Sequence, residues 1–133
     1  MHDARNRELV LLVGWLDAMR RGDLDALREY FQPDATWEGM RASATCHNRE
    51  EILDMLRDSQ DWPVIDAIEL IRGRGTVILG AKSPEFDEIG GVPLENQVYN
   101  VFFLRDGRIT SVRDFPVRAE ALEAAGADDP DWV

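Results

Sequence analysis

Apolar residues near the start of the chain recur at intervals of three and four positions, the spacing that places them on one face of an α-helix. This stripe consists of Leu9, Leu12, Val13, Leu16 and Met19. It predicts a helix over residues 3–21 whose apolar face, including Leu16, packs inward. Gly22 follows this stripe, and because glycine is common just after a helix C-terminus, we expect the helix to end there.

The next segment predicts a short helix followed by a strand. Asp23 is a favourable N-cap for a helix over residues 24–31, and Pro33 is expected to end it. Residues 35–38 then have the composition of a short strand that carries Trp37.

Asn48 and Glu51 have the spacing of a capping box, which predicts the start of a third helix. Further along, residues 64–71 and 76–83 read as two strands, which we expect to form a hairpin. Residues 84–93 are acidic and marked by Gly and Pro. They are expected to form a mobile connection near the mouth of any pocket.

The strongest local signal is a hairpin over residues 97–114 with its turn at Asp106-Gly107, because Asp-Gly between two alternating apolar runs is typical of tight hairpin turns. Side chains alternate between the two faces of a strand. One face of the first strand carries Gln97, Tyr99, Val101 and Phe103, and one face of the second carries Thr110, Val112 and Asp114. We expect these sets to share a face, which would bring a phenol and a carboxylate together in an apolar pocket.

Phe115-Pro116 indicates the start of a last helix and Gly126 indicates its end. Residues 127–133 form an acidic tail, which we expect to be frayed. The strands are grouped rather than alternating with helices, which predicts a single α+β domain over residues 1–133 with an antiparallel sheet. Such a sheet, bent around the first helix, would leave a cone-shaped cavity.

The composition limits the partners that the protein is expected to bind. Acidic residues outnumber basic ones by 26 to 15, for a net charge of −11, and no basic block could follow a phosphate backbone, so neither nucleic acid nor an anionic membrane is expected. No leader peptide and no apolar run of roughly 20 residues is recognisable, so a cytoplasmic location is expected. The single Cys46 fits a reducing compartment. Because His2 and His47 are far apart, no metal site is expected.

Three stretches together resemble the NTF2-like superfamily, in particular its SnoaL-like, ketosteroid-isomerase-like and limonene-epoxide-hydrolase-like branches. The stretches are WLDAMRRGDLDALREYFQPDATWE (15–38), HNREEI (47–52) and VYNVFFLRDGRITSVRDF (98–115). The resemblance implies an NTF2-like (cystatin-like) cone, in which a strongly curved, antiparallel-rich sheet wraps around N-terminal helices and encloses an internal pocket. It also implies that homodimers are frequent.

Two of the branches match the sequence only in part. The ketosteroid-isomerase-like branch implies a general-base aspartate where this chain has Gly39, and an oxyanion-binding tyrosine where it has Trp15. The limonene-epoxide-hydrolase-like branch places its catalytic aspartate on Asp114, but its partner Arg and Asp fall on Ala81 and Ser83.

The SnoaL-like branch departs least from this sequence. It requires an aspartic acid near the end of the last strand with polar helpers, which implies Asp114, Tyr99 and His47 as catalytic residues. The side chains expected to line the pocket are those of Trp15, Trp37, Gln97, Val101 and Val112. Trp37 has an alternative role in plain core packing.

Asp114 has an alternative role as well, because it stands just before Phe115-Pro116, where aspartate is a favoured N-cap. The pKa separates the two roles. A carboxyl that faces an apolar cavity has a raised pKa, whereas a carboxylate that accepts backbone N–H bonds at a cap has a lowered one.

The sequence therefore favours a SnoaL-like enzyme of cofactor-independent acid/base chemistry, of the isomerase, cyclase or hydrolase type, acting on a small hydrophobic cyclic metabolite. The alternative is a non-catalytic ligand-binding or dimeric interaction module of the same fold. A homodimer through the outer face of the sheet is expected, because an apolar patch would otherwise be exposed to water. That face is predicted to carry Asn96, Val98, Asn100 and Phe102.

Overall fold

A computed structural model describes residues 4–39, 45–58, 67–84, 86, 88–89, 92–93 and 96–127. In this part of the chain the helices are α1 (Ala4–Arg21), α2 (Leu24–Tyr30), α3 (Arg49–Asp58) and α4 (Arg118–Ala125). The strands are β1 (Phe31–Glu38), β2 (Thr45–Cys46), β3 (Ala67–Arg72), β4 (Thr76–Lys82), β5 (Glu88–Ile89), β6 (Val92–Pro93), β7 (Gln97–Arg105) and β8 (Arg108–Phe115).

Six of the strands form one mixed sheet in the order β2-β1-β8-β7-β4-β3, and β5 pairs separately with β6. The α+β class is confirmed, and the neighbouring strands of the large sheet are antiparallel except for β1 and β8, which are parallel. A parallel pair requires a long connection. Almost all of the sheet lies between β1 and β8 in the sequence, which satisfies this requirement.

The two faces of the sheet are covered by different helices. On the inner face, α1, α2 and α3 enclose the larger core, in which Leu12, Leu27 and Phe102 are fully buried. On the outer face, α4 packs through Ala121 and Leu122 against β4 and β7 in a smaller cluster. Burial of these two apolar layers holds the sheet in place and defines which side chains can meet.

The buried face of α1 differs slightly from the predicted stripe. Leu12, Trp15 and Met19 are buried, whereas Val13 is 56% exposed and Leu16 is only partly buried against the core. These three buried positions follow the helical repeat of 3.6 residues. Val13 therefore faces water, and the predicted burial of Leu16 is correct only in part.

The junction of α2 and β1 also differs from the prediction. Phe31, predicted to be helical, is the first residue of β1, and Pro33 lies inside this strand instead of ending α2. The pairing of β1 with β8 is irregular between Phe31 and Thr36. A proline has no N–H to donate, so it is tolerated where the ladder is interrupted.

The hairpin of β7 and β8 is confirmed, but it contains an extra residue. Asp106 and Gly107 have φ values of 54° and 77°, the left-handed conformation that a tight hairpin turn requires. The register then shifts beyond Leu104, so that Thr110 is left without a partner across the hairpin, and its hydroxyl donates to the carbonyl of Phe103 at 3.0 Å. This residue is a β-bulge, and it exchanges the faces of all side chains beyond it.

Four of the six predicted helix ends follow the local signals, including the end of α1 at Gly22 and the N-cap of α2 at Asp23. The N–H of Glu51 donates to Asn48 Oδ1 at 2.9 Å, which confirms the capping box, and Gly126 ends α4 with a φ of 65°. The predicted start of α4 at Phe115-Pro116 is wrong, because Phe115 still pairs with Tyr99 in the sheet and the helix begins at Arg118.

Three predicted features lie in part outside the described residues. Of the strand predicted over 64–71, residues 67–71 belong to β3 and the rest are not described. Within the connection at 84–93, residues 84, 86, 88–89 and 92–93 are described, and β5 pairs with β6 there; of the tail at 127–133, only residue 127 is described.

Candidate functional site

Asp114 lies on the inner face of the sheet, near the end of β8. The bulge places it opposite Asn100 of β7, and Val112 faces Phe102 one step along the same face. On the other side of β8, Trp37 of β1 pairs with Val112. Asp114 is therefore a carboxyl among the apolar and aromatic side chains that face the helices.

Two donors converge on one oxygen of Asp114. The indole Nε1–H of Trp37 donates to Oδ1 at 3.0 Å, and the side-chain amide of Asn100 donates to the same Oδ1 at 2.6 Å. The N-cap of α4 is Val117, which makes no side-chain capping bond. The alternative role of Asp114 as a helix cap is therefore wrong, since its carboxyl binds side chains of the inner face.

The pKa of Asp114 is raised from 3.8 to about 6, because burial raises it by more than the hydrogen bonds from Trp37 and Asn100 lower it. Burial disfavours the charged form of a carboxyl, whereas donors favour it. The net direction is that expected for a carboxyl in an apolar site. A group with a pKa near neutrality can both accept and return a proton.

Aromatic rings pack beside this carboxyl. The ring centroids of Trp15 and Phe102 are 5.0 Å apart in an edge-to-face arrangement, and those of Trp15 and Trp37 are 6.5 Å apart. Within the described residues, the buried Nε1–H of Trp15 has no hydrogen-bond partner. A buried donor without a partner costs about 1–3 kcal/mol. The cluster therefore contains a donor that an acceptor atom of a ligand would satisfy.

Cys46 lies close to this cluster but is a poor nucleophile. It pairs with Trp37 in the sheet, and its Sγ is 3.9 Å from Met55 Sδ. Burial, and then the negative charges of Glu51 and Asp114, raise the pKa of the Cys46 thiol. The thiol therefore stays protonated at neutral pH, and the reactive form of a cysteine is the thiolate.

Tyr99, Gln97 and Val101 do not join Asp114. Tyr99 is fully buried on the outer face, its hydroxyl donates to Gln97 Oε1, and it packs with Val101 in the cluster beneath α4. The prediction that Tyr99 and Asp114 share a face is wrong, because the bulge at Thr110 pairs Tyr99 with Phe115. Of the predicted pocket residues, Trp15, Trp37 and Val112 lie on the inner face.

His47 lies at the start of α3, with its side chain 76% exposed. Its Nδ1 is 3.1 Å from Glu51 Oε1, and its backbone N–H donates to the same oxygen at 3.1 Å. These two hydrogen bonds lower the pKa of Glu51. The structure thus gives His47 a role in the first turn of α3 and does not bring it into contact with Asp114.

The residues predicted to form the dimer face lie elsewhere. Asn100 and Phe102 are on the inner face, and Phe102 is fully buried in the larger core. Helix α4 covers part of the outer face instead. The homodimer stays a prediction, but these residues no longer support it.

Asp114 also lines an open cleft of about 230 Å³, which sequence reasoning missed. The other lining residues are Glu38, Gly39, Arg113, Phe115, Pro116 and Glu120. Arg113 forms an ion pair with Glu38 at 3.1 Å, and its guanidinium carbon lies 5.2 Å from the centroid of the Phe115 ring. Whether the predicted internal pocket exists is not decided by this cleft, and the pocket stays a prediction.

Sequence reasoning also missed Asn100 as a residue of this site. The available signal was an amide at the centre of the apolar run VYNVFF, where an uncompensated polar group would be costly. Within the described part of the chain, no three His, Cys, Asp or Glu side chains are grouped as a metal site. No helix in that part is long and apolar enough to cross a membrane.

The fold and site place this chain among α+β proteins with the NTF2-like fold, in which helices cover the inner face of a curved sheet. A family model described as the SnoaL-like domain matches residues 12–112. Because this match spans about three quarters of the sequence, the chain belongs to the SnoaL-like family. The resemblance to the SnoaL-like branch is thereby confirmed.

Solved structures agree with this assignment. A candidate polyketide cyclase from Sinorhizobium meliloti is 24% identical, covers 79% of this chain and 93% of its own, and has a TM-score of 0.60. A candidate polyketide cyclase from Xanthomonas campestris pv. campestris is 18% identical over 92% of this chain and 98% of its own, with a TM-score of 0.64. An NTF2-like protein of unknown function from Burkholderia xenovorans is 16% identical over 98% and 91%, with a TM-score of 0.61. At these identities the likeness shows the fold.

Proposed function

We propose that this protein is a cofactor-independent acid/base enzyme, and that Asp114 transfers a proton to and from a small hydrophobic cyclic metabolite. The observation that carries the proposal is the placement of Asp114. Its carboxyl has a pKa of about 6 and is held by side-chain donors on an aromatic inner face. Strongly perturbed carboxyls of this kind are concentrated at functional sites.

The chemistry follows from the protonation state. Above about pH 6 the carboxylate of Asp114 accepts a proton from a C–H or O–H group of the bound ligand. The carboxylic acid formed in this step then returns the proton to another atom of the same ligand. This sequence is the basis of an isomerisation or a ring closure.

The surroundings of Asp114 support a hydrophobic, cyclic ligand. Trp15, Trp37 and Phe102 pack together as an aromatic cluster beside the carboxyl, and the buried Nε1–H of Trp15 has no partner among the described residues. Aromatic walls with few polar groups are typical of small-molecule sites. Two of the structural neighbours carry a name of the same kind, polyketide cyclase.

The second candidate function is ligand binding without catalysis. It is favoured by one observation, namely that Tyr99 and His47, the expected helpers, bind Gln97 and Glu51 instead of meeting Asp114. If the protein is an enzyme, Asp114 therefore acts without Tyr99 and without His47.

Elimination of nitrobenzisoxazole tests the proposal without knowledge of the natural substrate. In this small bicyclic molecule, a base removes the ring C–H proton, the electron pair of that bond forms a nitrile, and the N–O bond breaks to release a coloured phenolate. We expect the wild-type protein to catalyse this reaction with a rate that rises with pH and has its midpoint near 6. Asp114→Asn should reduce the rate to that of buffer.

Asp106→Asn is the matched control, because it removes an exposed carboxylate at the far end of the same hairpin. Asn tolerates the left-handed conformation of this turn, so the activity should not change. Equal rates for the wild type and Asp114→Asn would reject the proposal that this protein is an enzyme. If nitrobenzisoxazole then still changed the tryptophan fluorescence, the non-catalytic binder would be favoured.

A further inference from the structure

We propose that Asn100 is the positioning residue of this site, and that Asn100 and Trp37 hold Oδ1 of Asp114 so that Oδ2 is the oxygen that exchanges the proton. The inference rests on the proposed function, because it names the oxygen and its support. The sequence pattern placed Asn100 on the predicted dimer face, and neither this pattern nor the family match assigns it a role at Asp114.

The geometry separates the two oxygens of Asp114. Trp37 Nε1 and Asn100 Nδ2 both donate to Oδ1, at 3.0 and 2.6 Å. Within the described residues, no hydrogen bond reaches Oδ2. Since an oxygen that accepts from two N–H groups is a poor place for a proton, the acidic hydrogen is carried by Oδ2.

The two donors come from opposite sides of β8. Asn100 belongs to β7, directly across the hairpin, and Trp37 belongs to β1, the parallel neighbour. The carboxyl is thus clamped between its two neighbouring strands. A carboxyl held in this way keeps one orientation towards a ligand on the inner face, which is what efficient proton transfer requires.

The hydrogen bond from Asn100 also opposes the effect of burial on the pKa of Asp114. This bond stabilises the carboxylate and thereby lowers the pKa of Asp114, while desolvation raises it. Among the described residues, the Cys46 thiol of β2 is a titratable group that interacts with Asp114 on the inner face. Glu38, Arg113 and Glu120 line the same cleft as Asp114. A measured pKa change must therefore be compared between variants that leave all four of these groups in place.

The test is an NMR titration of Asp114 in the wild type and in Asn100→Leu, which has a similar size but cannot donate. The reporters are the Asp114 carboxyl carbon and the indole N–H of Trp37, which donates to Oδ1 of the same carboxyl. We expect both signals in Asn100→Leu to titrate about one to two pH units higher than in the wild type, since a hydrogen bond to a charged group is lost. The midpoint of nitrobenzisoxazole elimination should rise by the same amount.

Two further variants separate positioning from plain structural support. Asn100→Gln keeps a donor and should return the midpoint towards the wild-type value. Gln97→Leu removes an amide from the same strand, but on the outer face, where it accepts from Tyr99. It should leave the midpoint of Asp114 unchanged. If Asn100→Leu does not fold, Trp37→Phe removes the other donor and is expected to raise the midpoint in the same direction.

The two proposals fail in different ways. If the wild type eliminates nitrobenzisoxazole but neither Asn100→Leu nor Trp37→Phe raises the midpoint of Asp114, the positioning role is overturned and the proposed function stands. If the wild type is inactive but the NMR midpoint rises in Asn100→Leu, the positioning of the carboxyl is supported and the proposed function is rejected.

Discussion

Asp114→Asn is expected to make the protein more stable at neutral pH, although it removes the group on which the proposed activity depends. The pKa of Asp114 is raised from 3.8 to about 6 in the folded protein. A difference of about two pH units corresponds to about 3 kcal/mol, the free energy that the folded state loses when this buried carboxyl ionises. Asn offers the same carbonyl oxygen to Trp37 and Asn100 but has no charge to bury.

The sign of the effect follows from the protons bound in each state. Below pH 3.8 the carboxyl is protonated in both the folded and the unfolded protein, so it contributes no pH dependence. Between pH 3.8 and about 6 the unfolded state ionises first, and the wild-type free energy of unfolding falls as the pH rises. Above this pH window the wild type has lost the whole of this contribution to its free energy of unfolding. Asp114→Asn does not lose it, because it has no carboxyl at this position.

Urea unfolding followed by tryptophan fluorescence measures this effect for both proteins, at about pH 3.5 and about pH 8. The free energy of unfolding of Asp114→Asn, minus that of the wild type, should increase by about 3 kcal/mol from the lower to the higher pH. The contributions of the other carboxyl groups to the pH dependence are the same in both proteins and cancel in this difference. Asp106→Asn, at the exposed turn, should show no such increase. A difference for Asp114→Asn that stays constant within about 0.5 kcal/mol would refute the idea that burial perturbs this carboxyl.

Two further predictions concern α1. Leu12→Ala should reduce the free energy of unfolding by about 2–5 kcal/mol, because Leu12 is fully buried. Val13→Ala, at an exposed position, should change it by less than about 0.5 kcal/mol. Similar losses for both variants in urea unfolding would mean that the buried face of α1 is misplaced. In the same assay, Gly14→Ala should not give the gain of about 1 kcal/mol that alanine normally brings to a helix over glycine, because the Tyr30 hydroxyl has to move away from the added methyl group. A stabilised Gly14→Ala protein would show that this contact is absent.

The features predicted correctly from the sequence depend on residues close to each other along the chain. The turn at Asp106-Gly107 and the capping box of Asn48 and Glu51 need only a few neighbouring residues, and both are present. The end of α4 at Gly126 is a local feature as well. Such signals act through backbone conformation and short-range hydrogen bonds, so a pattern of residue types is enough to find them.

The face on which Asp114 lies could not be found in this way. Counting outward from the turn without a bulge pairs Tyr99 with Asp114, which is the predicted arrangement. One extra residue, Thr110, shifts the pairing so that Asp114 meets Asn100 instead. A single inserted residue reverses the two faces of a strand. The turn motif contains no signal that predicts this insertion.

The contact between Trp37 and Asp114 was out of reach for a different reason. The two residues are 77 positions apart and meet only because β1 joins the sheet parallel to β8. The order of strands in a sheet depends on packing over the whole domain. Sequence reasoning placed Asp114 in a pocket by strand alternation and family resemblance, and Trp37 either in the pocket or in the core, but their hydrogen bond required the sheet topology.

Two unfavourable features lie together on the inner face, and stability does not account for either of them. A buried carboxyl that ionises costs about 3 kcal/mol at neutral pH, and an uncharged asparagine would avoid that cost at Asp114. The Nε1–H of Trp15 is buried without a partner in the described residues, and phenylalanine would avoid that cost. The ring of Trp15 lies 6.5 Å from that of Trp37, the indole that binds Asp114. Since proteins accept local losses of stability mainly at functional sites, the co-location of a destabilising carboxyl and an unpaired donor supports the proposal that a ligand with an acceptor oxygen binds at this cluster.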